Sequence, residues 1–266
     1  MKRFRSGIFL CASVVALLCL ASAVLSLYES FHAAPFGSLT PPSWSHPCGT
    51  DFLGRDILSR TISAAWISIA IGVLSRFISV GVGLAFGFLA ASLPKRSARV
   101  VNTFVEVFMA IPALLLAMAL SVVMGERYLT IFVAIAAGTW APVARFTSVQ
   151  VLEISRRDYV TACRALGASK LRIALRHVLP AFLPTLIPTI TSGIAAAIMI
   201  ESTLSFLGLG GGMTASQTPT WGKLINEGSK FIFDAPWLII PPSVVLTVTV
   251  LLFNRIGDVI ADRTIR

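Results

Sequence analysis

The 266 residues are 56% hydrophobic and only 13% charged, with a formal net charge of +10. At a mean hydropathy of +0.84 the apolar surface exceeds what one water-soluble core of this size hides, so several bilayer spans are expected and a soluble domain is excluded. The positive charge does not point to nucleic acid, because the basic residues gather in alternate loops between apolar runs.

Lys2, Arg3 and Arg5 precede an uncharged run from Ser6 to Leu27, about 30 Å of helix and enough for a first span. Ala21-Ser22-Ala23 has the form of a signal-cleavage site. The run outlasts an h-region and stays apolar beyond that site, so residues 1–27 are expected to be retained as an N-terminal transmembrane helix. Residues 28–73 are expected to form an extracytoplasmic loop with an interfacial helix. Its Pro-rich part ends in HPCGTDFLGRD, with Gly49 and Gly54 at turns. Leu58, Ile62, Ala65, Trp66, Ile69 and Val73 then share one face of a helix lying on the outer surface.

About 20 residues counted back from Leu93 place the second span at 74–93. Arg76 falls at its outer end, where snorkelling is expected and a role in the path or gate is the other candidate. Gly83 and Gly87 form a small-xxx-small pair suited to close helix packing. After Lys95, Arg96 and Arg99, a third span at 103–124 carries Glu106 near its inner end and a kink at Pro112. A turn at 125–127 leads to a fourth span at 128–149, with Arg145 near the inner interface. The fifth span, 181–200, contains Pro184 and Pro188 and ends at Glu201; Glu106 and Glu201 are expected as end anchors. SFLGLGGG is too glycine-rich to continue a helix, residues 213–235 form the last outer segment, and 236–253 form the sixth span.

Sixteen of the 22 Lys and Arg fall on one side of this layout and five on the other, with Arg76 the remaining one. By the positive-inside rule the fold is an all-α integral membrane protein with six transmembrane helices and both termini cytoplasmic. Residues 74–266 form a five-helix core with a cytosolic loop at 148–179 between spans four and five.

That loop lies in the longest polar stretch, 153–180, which holds Arg156, Arg157, Arg164, Lys170, Arg172 and Arg176. Val149, Leu152, Tyr159, Val160, Cys163 and Leu166 recur at helical spacing. Gly167 stands where a C-terminal cap needs positive φ, and Ser169 is placed to cap a second helix with Leu171, Ile173, Leu175 and Val178 before Leu179-Pro180. Helix, Gly turn, helix also describes a DNA-reading motif, but the flanking spans argue against it. No HExxH or GxSxG occurs, and His32, His46 and His177 lack metal-site spacing with Cys or carboxylates, so neither catalysis nor a metal is expected. Cys48 is the only cysteine in an outer segment and has no disulfide partner there. Carboxylates at mid-span, the mark of an ion-coupled carrier, are not found, which leaves that class a remote alternative.

Residues 158–180, DYVTACRALGASKLRIALRHVLP, resemble the cytosolic coupling motif of the membrane subunits of bacterial ATP-binding-cassette importers: EAA, three residues, Gly, nine residues, I-x-L-P. Ala162, Gly167, Leu179 and Pro180 match it; Thr161 replaces the Glu, Cys163 the second Ala and His177 the Ile. GTDFLGRDILSR at 49–60, ESTLSFLGLG at 201–210, PTWGKLINEG at 219–228 and FNRIGDVIADR at 253–263 are similar, in that order, to the second membrane subunit of the dipeptide, oligopeptide and nickel subgroup. The resemblance covers nearly all of the chain from Cys48.

It implies a multi-pass permease of the bacterial inner membrane, itself not catalytic, paired with a second homologous permease in membrane lipid. Two ATPase subunits below would bind ATP and Mg, no cofactor would sit on this chain, and an extracytoplasmic binding protein would deliver the solute. Asp158, Ala162, Arg164, Gly167 and Arg172 become the candidate ATPase-coupling residues. Di- or oligopeptides are the expected solute, with nickel or a metal chelate the alternative. The spans offer Met109, Met118, Met199 and Cys19 but no His for a nickel relay. Arg76 and Glu201 are the candidates for the translocation path or gate, placed to meet the two charges of a zwitterion.

Overall fold

The computed structural model describes residues 37–125, 128–210 and 219–264. The expected first span, 1–27, lies outside the described residues, as do Cys19 and Arg127. The regular structure described is helical, with turns and coil at 37–56 and an isolated bridge between Thr50 and Asp56. Helices are numbered here from the first one described.

Helix α1 (Ile57–Ser92) starts where the Asp56 carboxylate accepts the Ser59 N–H. It runs 36 residues, about 54 Å. The expected interfacial helix and the expected second span are therefore one continuous element. No proline or cap interrupts residues 70–77, and Gly72, which weakens a free helix, is fixed against Ile198. Ala65 and Ile69 of the predicted face are buried, whereas Trp66 is 52% exposed. Further along, a Cβ at Gly83 or Gly87 would collide with Val143 or Thr147, so this pair does bring α1 against α4 (Tyr128–Ile154).

The predicted third span is two helices, α2 (Lys95–Ala110) and α3 (Ala113–Met124), bent by 85°. Pro112 holds Ile111 extended and cannot donate to the turn before it, so the chain breaks rather than kinks. Phe86, Phe104, Phe108 and Trp140 cluster where α2 crosses α1 and α4, Phe86 stacked on Phe104 and the other pairs tilted or edge-on. On α3, Ala117 packs with Ile71, Ile131, Ile135, Ala197 and Leu204.

A hairpin of two short helices, α5 (Asp158–Ala165) and α6 (Lys170–Ile173), follows. The second does not stop before Leu179-Pro180. It passes through a π turn, Ala174–Val178, into α7 (Leu179–Phe206). The apolar positions Ile173, Val178, Phe182 and Leu186 continue in phase and are all buried, and the wider π turn accommodates a proline that lacks a donor. At the other end α7 stops at Phe206, with Gly208 at φ +81°.

Residues 213–235, expected as an outer segment, contain α8 (Trp221–Ser229), capped by the Thr220 hydroxyl. Trp221 is fully buried, donating its indole N–H to the Thr61 carbonyl at 2.9 Å, while its backbone N–H reaches the Ser68 hydroxyl at 3.1 Å. Around it pack Ala64, Ala65 and Ile69 of α1, Ile194 and Ile198 of α7, and Phe253 of α9 (Ile240–Thr264). Among the described residues four helices are long and apolar enough to cross a membrane, or five if α2 and α3 count as one broken span.

The end of the bundle where α1 begins is tied by one buried carboxylate. Asp51, 1% exposed, accepts the N–H groups of Leu53 and Arg55, Arg55 Nε at 2.7 Å and Arg60 Nη1 at 2.6 Å. Arg60 then reaches Glu227 of α8 at 3.0 Å. Asp51→Ala would leave the Leu53 and Arg55 N–H groups and one arm of Arg60 without their acceptor, with Glu227 still pairing Arg60, a loss of about 1–3 kcal/mol. A clear fall in the thermal midpoint of the detergent-purified protein is expected, and a melt equal to wild type would refute this role.

Candidate functional site

The hairpin joins two surfaces. Val160 of α5 is completely buried with Val151, Ile154, Ile173, Val178, Phe182 and Leu186. Val149 and Leu152, placed on the same face by spacing, are 49% and 44% exposed. They belong to α4, and the turn at 155–157 breaks the phase between the two helices. Gly167 has φ +81° and donates to the Arg164 carbonyl, and the Ser169 hydroxyl accepts the Arg172 N–H at 3.3 Å, so both predicted caps form.

Asp158 opens α5 and Arg164 closes it, each favourable to the helix dipole. Asp158, Ala162, Arg164 and Arg172 are exposed, and no ion pair engages the three charges among the described residues. Tyr159, Leu166 and Leu175 are exposed as well. A cavity of about 560 Å³ opens between the ends of α1 and α4 and the hairpin, lined by Phe88, Val151, Ile173 and Val178 with Arg156 and Arg164. Across the hairpin Cys163 Sγ lies 3.9 Å from His177 Nε2.

Arg76 and Glu201, the candidates for the path or gate, are not brought together. Arg76 is 6% exposed and does not snorkel. Its guanidinium lies across α7 over Gly193, donating to the Thr189 carbonyl at 2.7 Å, while Nε has no partner. Glu201 is eight residues beyond Gly193, about 12 Å along the axis. It is completely buried, not an end anchor exposed at an interface. Its carboxyl group accepts the hydroxyls of Ser205 at 2.7 Å and Ser202 at 3.3 Å, with Ser68 and Thr220 also bonded to it.

The residues that sequence reasoning missed here are Ser68, Thr220 and Trp221. Ser68, Ser75 and Ser79 share a buried face of α1 at helical spacing, and that periodicity was the available signal. No cluster of three metal-ligating side chains occurs among the described residues. In the segment before α1, burial first and Asp56 second push the Cys48 thiol above its ordinary range.

Residues 83–266 match the family described as binding-protein-dependent transport system inner membrane component. The chain belongs to this family. It is a multi-pass protein of the bacterial inner membrane and a permease subunit of the ATP-binding-cassette importer class. The di/tripeptide transport system permease protein DppC of Pseudomonas aeruginosa is 36% identical to it over 230 residues, 84% of this chain and 75% of that protein. The dipeptide transport system permease protein DppC of Bacillus subtilis is 35% identical over 90% of this chain and 76% of its own length. The glutathione transport system permease protein GsiD of Pectobacterium atrosepticum is 33% identical over 83% and 72%. Among solved structures, an inward-facing form of the MetNI methionine ABC transporter superposes with a TM-score of 0.64 at 23% identity, covering 78% of this chain and 97% of the other. At that identity the likeness is one of fold.

A Cβ at Gly193 would occupy the place of the Arg76 guanidinium. Gly193→Ala should therefore lower stability by about 1–3 kcal/mol, the usual range for overpacking, and Arg76→Ala in the same chain should recover part of it. Thermal melts of both variants measure this; equal loss in single and double variants would show that the two residues do not compete.

Proposed function

We propose that this chain is the membrane subunit through which di- or oligopeptides, released by an extracytoplasmic binding protein, enter the cell. Its reading rests on the hairpin at 148–179, whose inner face is satisfied within the chain while its outer face is left open. Asp158, Ala162, Arg164 and Arg172 then meet a groove of an ATPase subunit, with Gly167 fixing the angle between the two helices. The relatives named for peptide transport support the choice of solute.

In this proposal there are six spans, with residues 1–27 as the first and both termini in the cytoplasm. The outer region, 28–73, includes the amino-terminal half of α1, because about 54 Å of helix exceeds a hydrocarbon core of about 30 Å. A second homologous permease packs beside the chain in the lipid, and two ATPase subunits bind ATP and Mg below. ATP-driven closure of those subunits draws the hairpins together and turns the path outward; hydrolysis resets it. The chain contributes no catalytic group. Arg76 and Glu201 remain the candidates for the path or its outer gate; both are buried against neighbouring helices, so the role they fit is a gate that opens as those helices part.

The test is ATPase activity of the reconstituted four-subunit complex, with binding protein loaded in turn with dipeptide, longer peptide, free nickel and a nickel chelate. Stimulation by peptide is expected. Stimulation by a nickel form alone would overturn the solute, and failure of the ATPases to bind would return the ion-coupled carrier. In the same assay Arg76→Gln and Glu201→Gln should alter the dependence on loaded binding protein; curves identical to wild type would remove both from the path.

Gly167→Pro cannot adopt positive φ and loses the N–H that closes α5. Uptake should be abolished while the protein still reaches the membrane, as read by transport and membrane immunoblot; normal uptake would refute the coupling role.

A further inference from the structure

The hairpin leaves a gap against the ends of α1 and α4, the cavity of about 560 Å³, which is in the size range of small-ligand sites. Phe88 of α1, Val151 of α4, and Ile173 and Val178 of the second arm give it an apolar wall. Its polar part is Arg156, in the turn after α4, and Arg164, in the last turn of α5, with the hydroxyl residues Ser92 and Ser155. No carboxylate lines it. Glu153, the acid nearest in sequence to Arg156, pairs with Arg157 at 3.9 Å, and neither Arg156 nor Arg164 has an ion pair among the described residues. The cavity is therefore positive on one part of its lining and oily on the other.

Apolar surface leads up to it. Val149 and Leu152, three residues apart and so neighbours on α4, are 49% and 44% exposed, and Leu152 itself lines the cavity. A soluble anion engages the arginines alone. An amphiphile with a phosphate and a fatty chain engages the arginines and the strip at Val149 and Leu152 together. Lys95, Arg96 and Arg99, just past Ser92, are exposed as well, the basic belt expected where helices leave an anionic leaflet.

We infer that this cavity binds an anionic phospholipid of the cytoplasmic leaflet, with its phosphate on Arg156 and Arg164 and one acyl chain along Val149 and Leu152. The guanidinium fork matches phosphate oxygens, and the hydroxyls of Ser92 and Ser155 are donors for the same group. The bound lipid fills the gap and braces the hairpin against α1 and α4. Its leaflet, and the effect of the brace on transport, rest on the cytosolic coupling hairpin proposed above; binding of the lipid does not. Arg164 is also a coupling candidate and Arg156 is not, so Arg156 separates the two roles.

The experiment uses the four-subunit complex in phosphatidylcholine nanodiscs carrying increasing fractions of phosphatidylglycerol and a trace of photoreactive phosphatidylglycerol. Crosslinked peptides are mapped by mass, and ATPase stimulation by peptide-loaded binding protein is followed on the same discs. Labelling within 149–156 is expected, competed by phosphatidylglycerol but not by sn-glycerol 3-phosphate, and reduced about fivefold in Arg156→Gln, as for one basic residue at an anionic surface. Stimulation should rise with the phosphatidylglycerol fraction in wild type and not in Arg156→Gln. Equal labelling by a photoreactive phosphatidylcholine, or labelling unchanged in Arg156→Gln, would overturn the site. Competition by sn-glycerol 3-phosphate as strong as by the lipid would make the ligand a soluble phosphate ester and overturn the lipid. No labelling, with ATPase subunits lost from the Arg156→Gln complex, would give the arginines to the ATPase instead. Labelling with stimulation independent of phosphatidylglycerol would overturn the brace. Discs whose ATPase never responds to loaded binding protein would count against the coupling role, and the labelling would still decide the lipid site.

Discussion

A carboxyl group inside a membrane helix bundle, away from water and without a cation, must find its hydrogen-bond donors in the protein. Glu201 finds them in Ser202 and Ser205 of its own helix, in Ser68 of α1 and in Thr220 before α8. That requirement fixes more than one side chain. Ser68 also receives the Trp221 N–H, and Thr220 also caps α8, so the donors that satisfy Glu201 are the ones that hold α8 in place. With α8 there, Glu227 is within reach of Arg60, Arg60 of Asp51, and the segment before α1 folds onto the helix ends. A polar network buried this way specifies one arrangement, because partial satisfaction is costly.

How much of this was legible depended on whether the signal was local. The caps at Gly167 and Ser169, the close packing at Gly83 and Gly87 and the end of α7 at its glycine run are each decided within a few residues, and the sequence predicted them. The length of α1 was hidden because composition does not say where a helix leaves the bilayer; only its packing on α7 and α8 keeps 57–73 in line with 74–92. Pro112 was correctly read as a disturbance, but whether proline bends or breaks a helix depends on what can take up the freed groups, and that is tertiary information.

The candidate site divides in the same way. The hairpin's shape follows from spacing, yet its inner and outer faces were confused where the turn at 155–157 resets the helical phase. Arg76 and Glu201 were found by charge in apolar surroundings, but both were assigned to interfaces because hydropathy measures distance along the chain and not the company a side chain keeps. Arg76 is accommodated by a missing Cβ at Gly193, and Glu201 by hydroxyls from elements up to 133 residues away. Neither partner is visible in a window of sequence.

The unbroken passage from α6 through the π turn into α7 has a mechanical meaning. Residues 170–206 form one rod of about 55 Å, with the hairpin as its handle and Glu201 near its far end. In the coupling proposed above, a force on this handle would reach the opposite end as a tilt of the rod. The rod is softest at the π turn, where the hydrogen-bond register is offset, and at Pro184 and Pro188, which lack the N–H of a helical bond. The stiffness of those joints sets how much of a push at one end arrives at the other.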